Sequence, residues 1–223
     1  ELLTEYAIKV LSDNCQANSL DHSFCNIYDE KVVVNGLVGL LATGGSTNHT
    51  IHLIAMANSA GIKINWQDFA DLSTAVPLLT RIYPNGPADV NHFHASGGMS
   101  FVINTLLKNG LLHEDVNTIL GKGLTQFTKE PKINHGEISW VDGPTESLNL
   151  DIIRPVESPF LPQGGIVMLH GNIGRAVIKT AAVSADHMLV EAEAIVFNEQ
   201  EDLILAFKRG ELDRDFIAVL PFQ

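Results

Sequence analysis

Six residues could do chemistry on an anion, and they fall in two places along the 223-residue chain. Ser46, Thr47, Asn48 and His49 follow the double glycine Gly44-Gly45, and Asn172 and Arg175 flank the short turn Gly171-Asn172-Ile173-Gly174-Arg175. Glycine permits left-handed backbone and lets a ligand approach the main chain, while Ser46 or Thr47 is a suitable N-cap for the apolar-periodic run that follows. The free amides and the positive dipole end of such a helix would draw a phosphate or a carboxylate. Capping alone explains the same residues, because many helices begin with glycine and serine. Arg175 and Lys179 likewise admit two readings, a structural salt bridge or a contact to a substrate phosphate or an interface.

The remaining side chains of chemical interest are histidines and cysteines. His49 and His52 are three apart on the expected helix and share a face, and His92 and His94 would share one if their segment is extended. Four imidazoles could hold a metal, but no His-Glu-x-x-His or Cys-x-x-Cys spacing accompanies them, so hydrogen-bonded or substrate-contacting histidine is the expectation and no metal ligand is assigned. His49 is the best placed of the four to face a phosphate. Cys15 and Cys25 lie ten apart in a polar stretch. An iron-sulfur cluster calls for more cysteines than these two. Glu191 and Glu193 alternate on an expected strand and read as a solvated edge.

The elements that must position these residues are helical first and mixed later. A helix is expected over Leu2 to Leu11, a buried helix or strand-to-helix segment over Val32 to Leu41 ending at Gly44, and a helix over Thr47 to Ala60 with Gly61 as left-handed cap. Asn65 or Asp68 should start a short helix through Leu72, and Pro77 another carrying Leu78, Leu79 and Ile82. Ser96-Gly97-Gly98 repeats the glycine entrance before a helix from Met99 to Lys108, either to reach the same pocket or simply to allow close packing. From Thr125 to Pro162 seven prolines and glycines break the periodicity, which predicts an extended linker between domains. Beyond it, Gly165 to Leu169, Ala176 to Ala182, Met188 to Phe197 and Phe216 to Leu220 read as strands, with a helix over Glu199 to Arg209 stopped by Gly210.

Composition narrows the class. The chain is 45% hydrophobic, enough for a real core, and no apolar run reaches the roughly 18 residues that span a bilayer. No membrane partner is expected. With 26 acidic against 14 basic residues the formal charge is −12, which argues against a nucleic-acid surface. An anionic ligand would therefore be bound locally, against the overall field. Two cysteines make no secreted disulfide framework, and no signal-peptide pattern opens the sequence, so a reducing, cytoplasmic setting is expected.

Taken together, Asp29-Glu30-Lys31-Val32-Val33-Val34-Asn35-Gly36, the Gly-Gly-Ser-Thr-Asn-His run, Tyr83-Pro84-Asn85-Gly86-Pro87-Ala88-Asp89, Leu111 to Thr118 and Gly171 to Thr180 resemble, in this order, the dihydroxy-acid and sugar-acid dehydratase superfamily. The Asn-His after Gly-Gly-Ser-Thr and the Gly-Asn-Ile-Gly-Arg turn resemble its phosphogluconate branch. The resemblance implies a hydro-lyase of the Entner-Doudoroff pathway that dehydrates 6-phospho-D-gluconate, a small anionic sugar-acid phosphate, to 2-keto-3-deoxy-6-phosphogluconate. Another dihydroxy-acid or sugar-acid dehydratase, or a non-catalytic binding module, is the alternative. It also implies a homodimer with a four-iron four-sulfur cluster and magnesium, held mainly by segments outside this chain, whose Cys15 and Cys25 do not match the cluster-binding positions. The family's serine base stands in a Gly-Arg-x-Ser-Gly motif, and Gly174-Arg175-Ala176-Val177 lacks that serine, so no catalytic residue is expected here.

The implied architecture is α/β: residues 1–124 as the later part of an N-terminal domain, 125–162 as linker, and 163–223 as the opening of a barrel-like β/α domain. The family enzymes are longer than this chain, which begins at Glu1 without methionine, so an internal, by itself inactive, piece of such an enzyme is expected.

Overall fold

The computed structural model describes residues 2–16, 23–83 and 85–221. Seven helices fill its first half: α1 (Leu2–Gln16), α2 (Phe24–Ile27), α3 (Glu30–Thr43), α4 (Thr47–Ser59), α5 (Trp66–Ala75), α6 (Val90–Ala95) and α7 (Gly98–Lys108). α3 is the central one. Asp29 caps it by accepting the Val32 amide at 2.9 Å, and Gly44, at φ 59°, ends it in the left-handed conformation. Between these caps Val33, Leu37, Val38, Leu40, Leu41 and Ala42 are all buried, which is what a helix apolar on most of its circumference requires.

The neighbouring helices pack one face each. α4 buries Thr50, Leu53 and Ala57 and stops before Gly61 at φ 79°, where the Ile62 amide reaches back to the Ala57 carbonyl at 2.9 Å. α5 starts at Asn65, whose side chain accepts the Gln67 amide at 2.8 Å while its own amide donates to Asp68 at 2.7 Å. α7 contributes Phe101, Val102 and Leu106 to a core that also takes Phe69, Leu79, Ile153 and Ile166.

Two local expectations are corrected here. Residues 77–83 are extended rather than helical: Leu78 bridges Leu161, Thr80 bridges Ile153 and Ile82 bridges Ala88. Residues 76–80 are all buried, so this stretch has no period with which to choose between helix and strand, and for Leu78 and Thr80 partners more than 70 residues away decide it. Conversely, His92 and His94 lie on the short helix α6, so at two residues apart they do not share a face. His92 instead completes a cap with Asp89, Nδ1 to Oδ1 at 2.7 Å.

Among the described residues the strands come in four two-stranded sheets: β1 (Asn117–Thr118) with β2 (Gly121–Lys122), β3 (Lys129–Asn134) with β4 (Glu137–Asp142), β5 (Ile166–Gly171) with β6 (Gly174–Lys179), and β7 (Glu193–Val196) with β8 (Phe216–Val219). The first three pairs are antiparallel. β7 and β8 are parallel, joined through helix α8 (Gln200–Lys208), as a parallel pair demands a crossover. Mixed α/β architecture with a helical first part is thus established, and the described strands do not close into a barrel. Glu193, expected on a solvated edge, opens β7 and pairs with Arg214 at 2.9 Å, whereas Glu191 precedes the strand.

The stretch expected as a linker is folded onto the helices. It carries the β3–β4 hairpin, turned at His135 (φ 52°) and Gly136 (φ 83°) as a two-residue connection favours, and it delivers the fully buried Ile153 to the core. By compactness the chain forms two units, Glu1–Ala182 and Val183–Gln223. In the second, α8 ends at Gly210, φ 72°, and Phe197 meets Phe216 edge-on with ring centres 6.5 Å apart.

Candidate functional site

The entrance to α4 is built as its residue types predict. Ser46 is the N-cap, its hydroxyl accepting the Asn48 amide at 3.2 Å and its carbonyl the His49 amide at 3.0 Å. Thr47 occupies the first helical position, where an amide has no acceptor within the helix. Ser46, Asn48 and His49 are exposed and Thr47 is half-buried, so the first turn is open to a ligand.

Beneath that turn the Gly44 loop is tied down from two distant parts of the chain. The Gly44 carbonyl accepts Asn85 Nδ2 at 2.7 Å and Lys179 Nζ at 2.6 Å. A Cβ at Gly44 would collide with Asn85 and Leu78, so the glycine is required by close approach as well as by its positive φ. The Asn85 Oδ1 atom, buried, has no partner among the described residues. Nearby, Thr80 Oγ1 donates to the Thr43 carbonyl at 2.8 Å and the Leu79 amide to that of Ala42 at 2.7 Å, completing the platform.

Lys179 was legible in the sequence only as a neighbour of Arg175. The fold separates the two side chains: Lys179 sits at the base of β6 against the Gly44 loop, and Arg175 at its far end, opposite His170 beside the exposed Asn172-Ile173 turn. Four residues of strand put roughly 13 Å between them. Burial lowers the Lys179 ammonium from the ordinary lysine range, since desolvation penalises its charge. No carboxylate pairs with it among the described residues, and its hydrogen-bond partner is the Gly44 carbonyl.

The second glycine entrance is of the packing kind. Ser96, Gly97 and Gly98 are buried, Ser96 Oγ donates to the His92 carbonyl at 2.6 Å, and a Cβ at Gly97 would strike Phe101. A cleft of about 390 Å³ opens elsewhere along α7, lined by Asn104, Lys108, Glu146 and Glu157 among others, away from α4. Cys15 lies on α1 and Cys25 on α2, both as exposed thiols. Among the described residues no group of three His, Cys, Asp or Glu is placed to hold a metal ion. Two separate thiols do not fit a four-iron cluster, which is held by three or four.

The fold is that of a mixed α/β chain with an exposed, serine-capped helix entrance at α4, and comparison with known proteins gives its class. The chain belongs to the dihydroxy-acid/6-phosphogluconate dehydratase family: the model of that family's N-terminal part matches residues 3–127 and that of its C-terminal part residues 151–223. Phosphogluconate dehydratase of Escherichia coli strain K12 is 57% identical over 195 residues, 87% of this chain and 32% of the relative. The Pseudomonas aeruginosa protein of the same name is 51% identical over 221 residues, 99% of this chain and 36% of the relative. Dihydroxy-acid dehydratase of Caldanaerobacter subterraneus is 35% identical over 199 residues, 88% of this chain and 33% of that relative. The chain spans about a third of the length of these curated relatives.

Proposed function

We propose that this chain is part of a cytoplasmic, homodimeric hydro-lyase that dehydrates 6-phosphogluconate to 2-keto-3-deoxy-6-phosphogluconate. The observation that carries the reading is the 57% identity to a protein named phosphogluconate dehydratase, against 35% to one named dihydroxy-acid dehydratase. The chain's own share of the work is to bind and orient the acid. Ser46, Thr47, Asn48 and His49 offer the helix amide, a hydroxyl and two exposed polar side chains to one oxyanion, and the Lys179 ammonium supplies the charge that an acidic protein otherwise withholds. Asn172 and Arg175, on the exposed β5–β6 turn, are proposed to contact another part of the same substrate.

The iron-sulfur cluster and magnesium that the resemblance implies are assigned to segments other than those described here, because Cys15 and Cys25 offer no fitting donor set. The proton-abstracting serine is assigned outside as well, since Ala176 and Val177 follow Arg175 where the motif would place it. The chain is proposed to comprise the end of an N-terminal domain, residues 1–124, a connecting segment, 125–162, and the start of a C-terminal one, 163–223; a boundary between residues 127 and 151 is what the two family matches support.

The test is kinetic, in the enzyme that carries this chain. Asn48→Ala and His49→Ala are expected to raise KM for 6-phosphogluconate about tenfold or more, the worth of one hydrogen bond to a charged group. Unchanged KM in both variants would remove the α4 entrance from the site. Turnover of a branched-chain 2,3-dihydroxy acid in preference to 6-phosphogluconate would overturn the substrate.

A further inference from the structure

Two arginines from distant parts of the sequence converge on one aromatic ring. The Arg81 guanidinium carbon lies over the Phe160 ring at 4.6 Å from its centre and that of Arg154 at 4.3 Å, so the two cations are no further apart than these distances together allow. The backbone imposes the convergence. Thr80 bridges Ile153, the Arg81 amide donates to the Ile152 carbonyl and the Arg154 amide to that of Leu79, both at 2.8 Å, and the Phe160 amide closes the loop onto the Leu78 carbonyl at 2.9 Å.

Neither guanidinium has a carboxylate partner among the described residues, in a chain where acids outnumber bases 26 to 14. The nearest acid on the intervening loop, Glu157, is engaged by Asn109 Nδ2 at 3.0 Å. Arg154 spends one donor, Nε, on the Leu150 carbonyl at 3.0 Å. Like charges on long side chains in water drift apart unless something holds them, and here the ring face does. Apart from Arg154 Nε, the N–H donors of the two guanidinium groups meet no hydrogen-bond acceptor among the described residues, and these are the donors that grip an oxyanion in bidentate fashion.

We propose that Arg81 and Arg154, held on Phe160, form an oxyanion-binding site for a phosphate or carboxylate group, separate from the α4 entrance. The site is argued from this geometry alone and stands or falls independently of the dehydratase reading. Inorganic phosphate is titrated into the ¹⁵N-labelled whole chain while the arginine Nε–H resonances are followed, with gluconate as the carboxylate-only arm and 6-phosphogluconate as the combined one. The Arg81 and Arg154 signals are expected to move together along one saturating curve, and the arm that saturates lowest assigns phosphoryl or carboxylate. Arg81→Gln and Arg154→Gln should each weaken binding about tenfold or more, and Arg154→Lys, which keeps the charge but loses the fork, should weaken it too. The titration of the unsubstituted protein decides the matter even if a variant fails to fold. No saturating shift at either arginine with any of the three anions, or a shift that both Gln variants leave intact, overturns the proposal.

Discussion

At the scale of single residues, Gly44 and Gly61 separate two reasons for a glycine. Both have positive φ, 59° and 79°, but a Cβ at Gly44 meets Asn85 and Leu78 whereas at Gly61 it meets open space. Gly61→Ala should therefore cost only the left-handed backbone penalty, about 1–2 kcal/mol. Gly44→Ala should cost clearly more, because it also breaks the Asn85 and Lys179 bonds to the Gly44 carbonyl. Urea unfolding of the two variants checks this, and equal losses would mean that the loop relaxes around a methyl group. The same loop shows why a lone lysine was hard to value from sequence: Lys179 acquires its meaning from a carbonyl 135 positions away.

Elements differ in how firmly their ends are set. α5 carries a reciprocal cap between Asn65 and Asp68, whereas α2 begins at Ser23 with no side-chain cap bond. Asn65→Ala is expected to lower stability by about 0.5–2 kcal/mol, the usual worth of an N-cap side chain, and Ser23→Ala by much less. Thermal unfolding of both variants reads the difference, and a Ser23 effect as large as that of Asn65 would contradict the capping geometry. α5 matters to the site because it holds the core against which α3 lies, and α3 ends at the Gly44 loop. Its cap therefore supports the α4 entrance from a distance.

Across the whole molecule, stability is unevenly distributed. The unit Glu1–Ala182 buries a continuous core from α3, α4, α5, α7 and the 78–82 and 152–166 stretches, while in Val183–Gln223 the described buried apolar side chains are Phe197 and Ala206. Local opening costs less where fewer apolar groups must be exposed. Amide hydrogens of β7 and β8 should then exchange faster with deuterium than those of α3, measured on the same chain by NMR or mass spectrometry. Protection in β7 and β8 equal to that in α3 would show that the second unit opens only with the first.

Local rules carried the reading wherever neighbours along the chain decide the outcome. The periodicity and caps of α4 and α5, the end of α3 at Gly44, the stops at Gly61 and Gly210 and the strands β5 and β6 are legible because helix hydrogen bonds and tight turns join residues close in sequence. The polar run at Ser46 to His49 was legible for the same reason, as a cap announces itself locally. Tertiary structure alone decided the rest. Residues 77–83 became extended and Ile153 was carried into the core because Leu78, Thr80, Ile153 and Leu161 satisfy one another's backbone across long loops. Lys179 reached Gly44, and Arg81 reached Arg154 on Phe160, by the same long-range pairing. Such contacts depend on which distant surfaces bury each other, and no window of neighbouring residues contains that information.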